Sequence, residues 1–269
     1  MSVDAGWGVA ALAAGLPSWR PGATRDWLCA TLAATVDVPP VDRVAAFDND
    51  GTLACEKPKP SVQAFLRDLA PEARPEDGHD AERLLAIALA GLTPRQAASR
   101  AVDFLAVARH PRFNLRWPEV TYRPMVELVA LLHRLDFTVF LVSDSSRDFM
   151  RVIAPTAYGI LPEHVIGSEA HIVWDGGELR RQSRVIPLDD GPGKPAHLWD
   201  RAGRLPLLAV GNAKGDIELL EFAQHAMLVR HDDADREYAY EDEEAMAAAA
   251  SRGWTVASMR EDFAEVFAR

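Results

Sequence analysis

Two carboxylates stand two residues apart in Phe47-Asp48-Asn49-Asp50-Gly51-Thr52-Leu53, directly after the apolar run 44–47. If Asp48 points into a site, its carboxylate can attack phosphorus, and the acyl phosphate formed splits one hard displacement into two easier ones. Asp50 can then protonate a departing alkoxide and later take a proton from water. Its backbone carbonyl can also face a metal ion. Asp and Gly equally favour turns, so the same string would serve as a plain turn after a strand.

The elements that must position these groups are legible as four short apolar runs, 44–47, 137–142, 207–210 and 226–229. Such runs suit strands buried on both faces of a parallel sheet. Helix-like stretches at 122–135, 148–153, 195–202 and 216–223 separate or follow them, which predicts an α/β fold with right-handed crossovers. The first run ends at Asp48, the second at Ser143 and Asp144, the third at Gly211 and Asn212. Open parallel sheets bind ligands just beyond the carboxyl ends of their strands, so polar residues collect where a site belongs.

A plain crossover needs one helix. The stretch between the first two strands instead holds three helical segments, 62–69, 81–92 and 96–108, punctuated by Thr93-Pro94 and His110-Pro111. We read residues 54–120 as a small helical cap, and residues 1–53 with 121–269 as the core. A second excursion, 170–190, carries Ile172-Val173-Trp174 before Asp175-Gly176, a hairpin signal. A helix over 26–36 is expected to pack on the core, and the acidic region 232–244 to be a solvated surface.

With 269 residues and a net charge of −11, the chain has no broad pull on nucleic acid or an anionic membrane, so any anion site must be made positive locally. Its two cysteines, Cys29 and Cys55, make no disulfide framework or zinc pair and are expected as small, partly buried residues. The histidines show no metal-binding spacing; His110, His171 and His197 are expected at the surface or as caps. The apolar stretch 9–16 lacks a basic leader and is too short to span a bilayer, so a cytoplasmic enzyme is expected.

The string Asp48-Asn49-Asp50-Gly51-Thr52 resembles the signature of the haloacid dehalogenase superfamily in its phosphatase form. Three further pieces follow in the matching order. Ser143 resembles the second motif, whose hydroxyl hydrogen-bonds the transferred phosphoryl group. Lys194, in Gly191-Pro192-Gly193-Lys194-Pro195, resembles the third, whose ammonium neutralises phosphate and nucleophile. Gly211-Asn212-Ala213-Lys214-Gly215-Asp216 resembles the fourth, which supplies groups to magnesium. The cap position resembles the phosphoserine-phosphatase-like branch, and the distal strings His231 to Tyr240 and Gly253 to Val256 resemble a bacterial subgroup of it.

The resemblance implies a Rossmann-like parallel-sheet core with a type-1 cap inserted after the first strand. It also implies Mg²⁺-dependent hydrolysis of a small phosphorylated metabolite through an aspartyl-phosphate on Asp48. Mg²⁺ would be organised by Asp48, Asp50, Asn212 and Asp216, and the phosphoryl group by Gly51, Thr52, Ser143, Asp144 and Lys194. Glu56 resembles a hinge acid that contacts substrate, although its spacing is one residue short. Arg147 and Arg123 are further candidate contacts for a substrate anion. Asn212 stands where many relatives carry Asp, which implies weaker metal binding or a larger role for Asp216. Asp144-Ser145-Ser146 replace frequent glycines, and Lys214 either offsets the acids or is solvated. A phosphotransferase or mutase on the same scaffold, and a non-catalytic metabolite-binding protein, are the alternatives.

Overall fold

The computed structural model describes residues 8–72, 80–185 and 188–267. Helices α1 (Val9–Ala14) and α2 (Ala23–Ala33) precede strand β1 (Val44–Phe47). Helices α3 (Ser61–Leu69), α4 (Asp80–Leu89) and α5 (Pro94–Val107) intervene before α6 (Arg123–Arg134) and β2 (Thr138–Ser146). Helix α7 (Arg147–Ala157), strand β3 (Val165–Ser168) and the pair β4 (Ala170–Asp175) and β5 (Glu178–Val185) come next. Then follow α8 (Gly193–Ala202), β6 (Leu208–Gly211), α9 (Ile217–Glu221), β7 (His225–Arg230), α10 (Glu243–Arg252), β8 (Thr255–Ser258) and α11 (Met259–Asp262).

Six strands form one sheet in the order β3-β2-β1-β6-β7-β8, with every neighbouring pair parallel. Side chains alternate across a strand, and the apolar runs feed two cores accordingly. Ala45 and Phe47 pack with α2, α6 and α7 on one face; Val44 and Ala46 pack with Leu198 of α8, Leu219 of α9 and Ala245 of α10 on the other. All four β1 residues are buried, so each large apolar side chain there contributes about 1.5–3 kcal/mol of transfer free energy. Phe47 lies opposite Leu141 and Val210, so β1 and β6 end nearly level, while β2 runs on beside them to Ser146.

The segment between β1 and β2 is helical as expected. Thr93 starts α5 with a reciprocal cap: its hydroxyl accepts from Gln96 N at 3.2 Å, and Gln96 Oε1 accepts from Thr93 N at 2.9 Å. Phe65 of α3 stacks on Phe149 of α7 at 4.8 Å, which seats the insertion against the core.

The hairpin β4–β5 turns at Gly176 and Gly177, both at positive φ, one residue beyond the expected Asp175-Gly176 centre. It does not pair with the main sheet. Its Arg181 exchanges backbone hydrogen bonds with the end of α4, Gly91 N to Arg181 O at 2.7 Å and Arg181 N to Leu92 O at 3.1 Å. The Arg181 side chain is 2% exposed and donates through Nε to Asp148 of α7 at 2.9 Å. A unit read from sequence as three helices is therefore joined by a hairpin from a distant part of the chain.

Strands β3 and β8 have four residues each and were absent from the sequence reading. Val165-Ile166 offers two apolar residues before Gly167, too few to show a period. The acidic region 232–244 differs from its expectation, because Asp233 (3%) and Glu237 (0%) are buried. Among the described residues, no helix is long and apolar enough to cross a membrane.

Candidate active site

The loop after β1 turns sharply back on itself. Asp48 N donates to Val210 O of β6 at 3.0 Å, continuing the sheet for one residue. Leu53 N and Ala54 N both reach Asn49 O, at 2.8 and 3.0 Å, and Gly51 N reaches Ala54 O at 2.8 Å. Gly51 closes this turn at φ +84, and a β-carbon there would collide with the Asn212 amide. Only glycine satisfies both demands without strain.

Three elements bring charged groups together beside this loop. Lys194, in the first turn of α8, donates to Asp48 Oδ1 at 2.8 Å and to Asp216 Oδ1 at 2.6 Å. All three side chains are 5% exposed or less. Asp216 Oδ2 accepts from the backbone of Asn212 at 2.9 Å and Ala213 at 3.1 Å, which holds the turn after β6. Gly211 permits this approach, since a β-carbon there would lie 2.5 Å from Asp216 Cβ. Asn212 Oδ1 accepts from Thr52 Oγ1 at 3.1 Å, tying the two loops together.

Burial works against the Lys194 ammonium, yet Asp216, Asp48 and Asp144 overcome it and hold its pKa well above the ordinary lysine value. Burial pushes the Asp48 carboxyl up, Asp216 adds to the push, and Lys194 opposes it. Buried acids thus outnumber the ammonium that serves them. That imbalance, with oxygen donors on Asp48, Asp216 and Asn212 and a carbonyl at Asp50, fits a hard divalent cation. The candidate donors are a mixture of carboxylate, amide and carbonyl oxygens, and no cluster of three His, Cys, Asp or Glu side chains suited to a metal occurs among the described residues.

Asp50 has a different environment from Asp48. Its Oδ2 accepts from Ser145 Oγ at 2.5 Å, and its Oδ1 from Asn49 Nδ2 at 2.9 Å. Asn49 Oδ1 accepts in turn from Tyr158 O–H at 2.9 Å. Burial and the nearby Asp144 push Asp50 up to about 7, Glu56 adds to this, and the Ser145 and Asn49 hydrogen bonds pull against it. A carboxyl poised near neutrality suits proton transfer in both directions.

Of the residues singled out from sequence, Asp48, Lys194 and Asp216 are joined by ion pairs and Thr52 and Asn212 by a hydrogen bond, while Asp50 and Gly51 share the Asp48 loop, with the Asp50 carboxyl held by Ser145 and Asn49. Strand β2 runs on to Ser146, beyond the end expected at 143–144; within it Ser143 is fully buried, its Oγ accepting from Ser145 N at 3.2 Å, and Asp144 is exposed. Glu56 reaches the site's edge, accepting from Asn212 Nδ2 at 3.4 Å, with Lys57 Nζ 3.6 Å away.

Arg147 turns elsewhere. It pairs with Glu169 and lines a separate cavity of about 160 Å³ with Ile166, Gly167, His197, Asp200 and Arg201. Arg123 pairs with Glu127 and Glu265, and Lys214 with Glu244, all at partly or fully exposed positions. His171 is at the surface beside Gln182, and His197 pairs with the buried Asp189. His110, expected at the surface or as a cap, is only 1% exposed, and its Nδ1 accepts from the backbone of Arg112 and Phe113. Cys29 and Cys55 are free and buried.

Four site-supporting residues had no role assigned from sequence: Ser145, Tyr158, His231 and Glu237. Ser145 was legible only as a neighbour of Ser143, and His231 and Glu237 only within the distal string 231–240 of the resemblance. The last three lie far from Asp50 in sequence and carry no local pattern that announces a contact with its loop.

No curated protein matches the chain. Among solved structures, a protein of unknown function from Bordetella pertussis Tohama I shares the fold at 20% identity and a TM-score of 0.55, covering 80% of this chain and 97% of that one. A HAD family hydrolase from Salmonella enterica subsp. enterica serovar Typhi aligns at 16% identity and a TM-score of 0.46, over 77% of this chain and 70% of that one. A phosphoserine phosphohydrolase-like protein from Francisella tularensis subsp. tularensis SCHU S4 aligns at 16% identity and a TM-score of 0.43, over 78% and 99%. The sequence model of the haloacid dehalogenase-like hydrolases matches residues 45–221, a span that runs from β1 through α9 and contains Asp48, Asp50, Lys194 and Asp216. The chain belongs to the haloacid dehalogenase-like hydrolase family.

Proposed function

We propose that the protein hydrolyses a small phosphate monoester, with Asp48 as nucleophile and Asp50 as acid and base. The observation that carries this reading is the pair of unlike carboxyls on one loop. Burial raises both carboxyls, but Asp48 faces an ammonium 2.8 Å away that opposes the push, whereas Asp50 faces neutral donors and is pushed up to about 7. Two titratable groups held in such different surroundings suit two different roles.

Asp48 attacks phosphorus, the bond from phosphorus to the alkoxide oxygen breaks, and Asp50 gives its proton to that oxygen. Asp50, now ionised, takes a proton from the water that cleaves the aspartyl phosphate. Lys194 neutralises charge on the transferring phosphoryl oxygens, and Ser143 offers a hydroxyl donor without adding charge. Asp48, Asp50, Asn212 and Asp216 would hold Mg²⁺, which when bound offsets the negative charge of substrate and site together. The insertion α3–α5, with the hairpin β4–β5 against it, acts as a cap that closes over the substrate and excludes water from the first step. The net charge of −11 favours a small metabolite over nucleic acid, since only the local cations attract an anion.

The test is a screen of phosphorylated metabolites and an aryl phosphate with Mg²⁺, scoring free against transferred phosphate. Free phosphate release by the wild type, abolished in Asp48→Asn with the circular dichroism spectrum retained, is expected. Transfer to an acceptor without release would favour a phosphotransferase. Substantial turnover by Asp48→Asn would remove the nucleophile assignment.

A further inference from the structure

A second polar cluster lies beneath the Asp50 loop, and the reaction described above leaves it unused. Glu237 is fully buried, and His231, Cys55 and Tyr122 beside it are at most 4% exposed. Glu237 Oε1 accepts from Cys55 Sγ at 2.9 Å and from Tyr122 O–H at 3.2 Å. His231 Nδ1 faces Glu237 Oε2 at 3.4 Å, and its Nε2 lies 2.8 Å from Gly51 O.

The proton on one ring nitrogen follows from chemistry alone. A carbonyl oxygen only accepts, so His231 Nε2 must carry a hydrogen and donate it to Gly51 O. The opposite nitrogen then either donates to the Glu237 carboxylate or accepts from its acid form. In either case Glu237 fixes the plane of the ring. Burial pushes both the Cys55 thiol and the Tyr122 phenol up, and Glu237 pushes the same way, so both stay protonated as donors to that carboxylate. Tyr240 stacks on the His231 ring with centroids 4.2 Å apart, which restrains it from the side.

We propose that His231 is a positioning residue for the hydrolysis, acting on Asp50 through the Gly51 carbonyl, with Glu237 as its anchor. Gly51 follows Asp50 directly and sits at positive φ. The His231 donor adds a restraint on the Gly51–Thr52 peptide to the Thr52 N to Asn49 O bond at 3.2 Å, while Ser145 and Asn49 hold the Asp50 carboxyl.

The same anchor grips both ends of the helical insertion. Cys55 stands at its start and Tyr122 at its end, and the two chain segments pair through Cys55 N to Val120 O at 3.0 Å and Tyr122 N to Leu53 O at 2.8 Å. One buried carboxylate therefore ties the cap's two connecting segments, through His231, to the carbonyl of the residue after the acid. This inference rests on Asp50 acting as the acid, and the experiment separates failure of that reading from failure of the positioning role.

The experiment compares His231→Phe, which removes the donor and keeps a flat ring, with His231→Gln, which keeps an N–H. Turnover is measured on p-nitrophenyl phosphate and on ethyl phosphate, because only the alkyl leaving group needs the acid. In His231→Phe, kcat on ethyl phosphate is expected to fall roughly tenfold to a hundredfold, as is usual when a supporting hydrogen bond is lost. The fall on p-nitrophenyl phosphate should be smaller, KM should stay within about twofold, and His231→Gln should recover most of the loss. Equal losses on both probes, or no loss on either, would overturn the proposal.

Amide hydrogen exchange of residues 49–54, in protein free of metal and substrate, reads the same restraint without any turnover. Faster exchange there in His231→Phe, restored in His231→Gln, supports the positioning role; unchanged exchange refutes it. Should the wild type hydrolyse neither probe, an alkyl phosphate found by the metabolite screen replaces ethyl phosphate; should it hydrolyse none, the hydrolase reading fails, and the exchange result still decides whether His231 restrains the loop. If His231→Phe does not fold, Glu237→Gln replaces it, with the same bias toward loss on ethyl phosphate expected.

Discussion

Replacing Asp50 by Asn should stabilise the metal-free protein at alkaline pH while removing the acid. The Asp50 carboxyl is pushed from 3.8 up to about 7 by burial and by Asp144. Between those values the folded chain keeps a proton that the unfolded chain has lost, so stability falls as pH rises. The penalty is absent below the unfolded value and complete above the folded one. At 1.36 kcal/mol per pKa unit, the shift corresponds to about 4 kcal/mol. Asn does not titrate and escapes the penalty. Its amide nitrogen, however, would face Asn49 Nδ2 or the Ser145 hydroxyl where a carboxylate oxygen now accepts, at a loss of about 1–2 kcal/mol. The variant should therefore be more stable than wild type by about 2–3 kcal/mol near pH 8, and less stable by about 1–2 kcal/mol near pH 4. Urea unfolding in the presence of a chelator, run for both proteins across this range, measures the difference at each pH. Removing the Asp50 charge also relieves its upward push on Asp48, which adds to the gain at alkaline pH. The crossover is the signature; a difference that does not vary with pH would refute the electrostatic account of Asp50.

Two further outcomes follow from the same contacts. Ser145→Ala removes a hydrogen bond that lowers the Asp50 value, so the alkaline limb of the rate profile should move to higher pH, as read from initial rates on an alkyl phosphate; a limb that stays in place would show that Ser145 does not tune the acid. Lys194→Met leaves Asp48 and Asp216 buried without their cation, which should destabilise the metal-free fold by about 3–5 kcal/mol and lower phosphate release at least a hundredfold, on the order of one lost charge-stabilising donor. Urea melts with and without Mg²⁺ should show part of that stability returning on metal addition, and an unchanged melt without metal would contradict the charge balance described here.

Much of the core was legible because its signals are local. The run Val44 to Phe47 is apolar without interruption and ends in an acid, so strand and site edge were read together. The string Gly211-Asn212 after Leu208 to Val210 repeated that pattern. Strand β3 gave no such signal, since its two apolar residues are followed by glycine. The hairpin β4–β5 was legible as a hairpin, yet its partner was not, because the bonds it makes to Gly91 and Leu92 join backbone atoms and leave no trace in residue type.

Sequence alone marked the candidates for the chemistry. The Asp48 and Asp50 spacing and the small polar residues at strand ends follow from periodicity and turn preference, which act over a few neighbours, and Lys194 follows from the resemblance of its motif. Tertiary structure decided how the two acids differ, because desolvation, the Lys194 contact and the Ser145 hydroxyl depend on packing of segments roughly a hundred residues or more apart. It also turned Arg147 away from the site and drew His231 and Glu237 under it. Side-chain direction and burial come from the whole fold, and an acidic stretch that reads as solvated, such as 232–244, can hold a carboxyl with no exposure at all when a thiol and a phenol donate to it beside an imidazole.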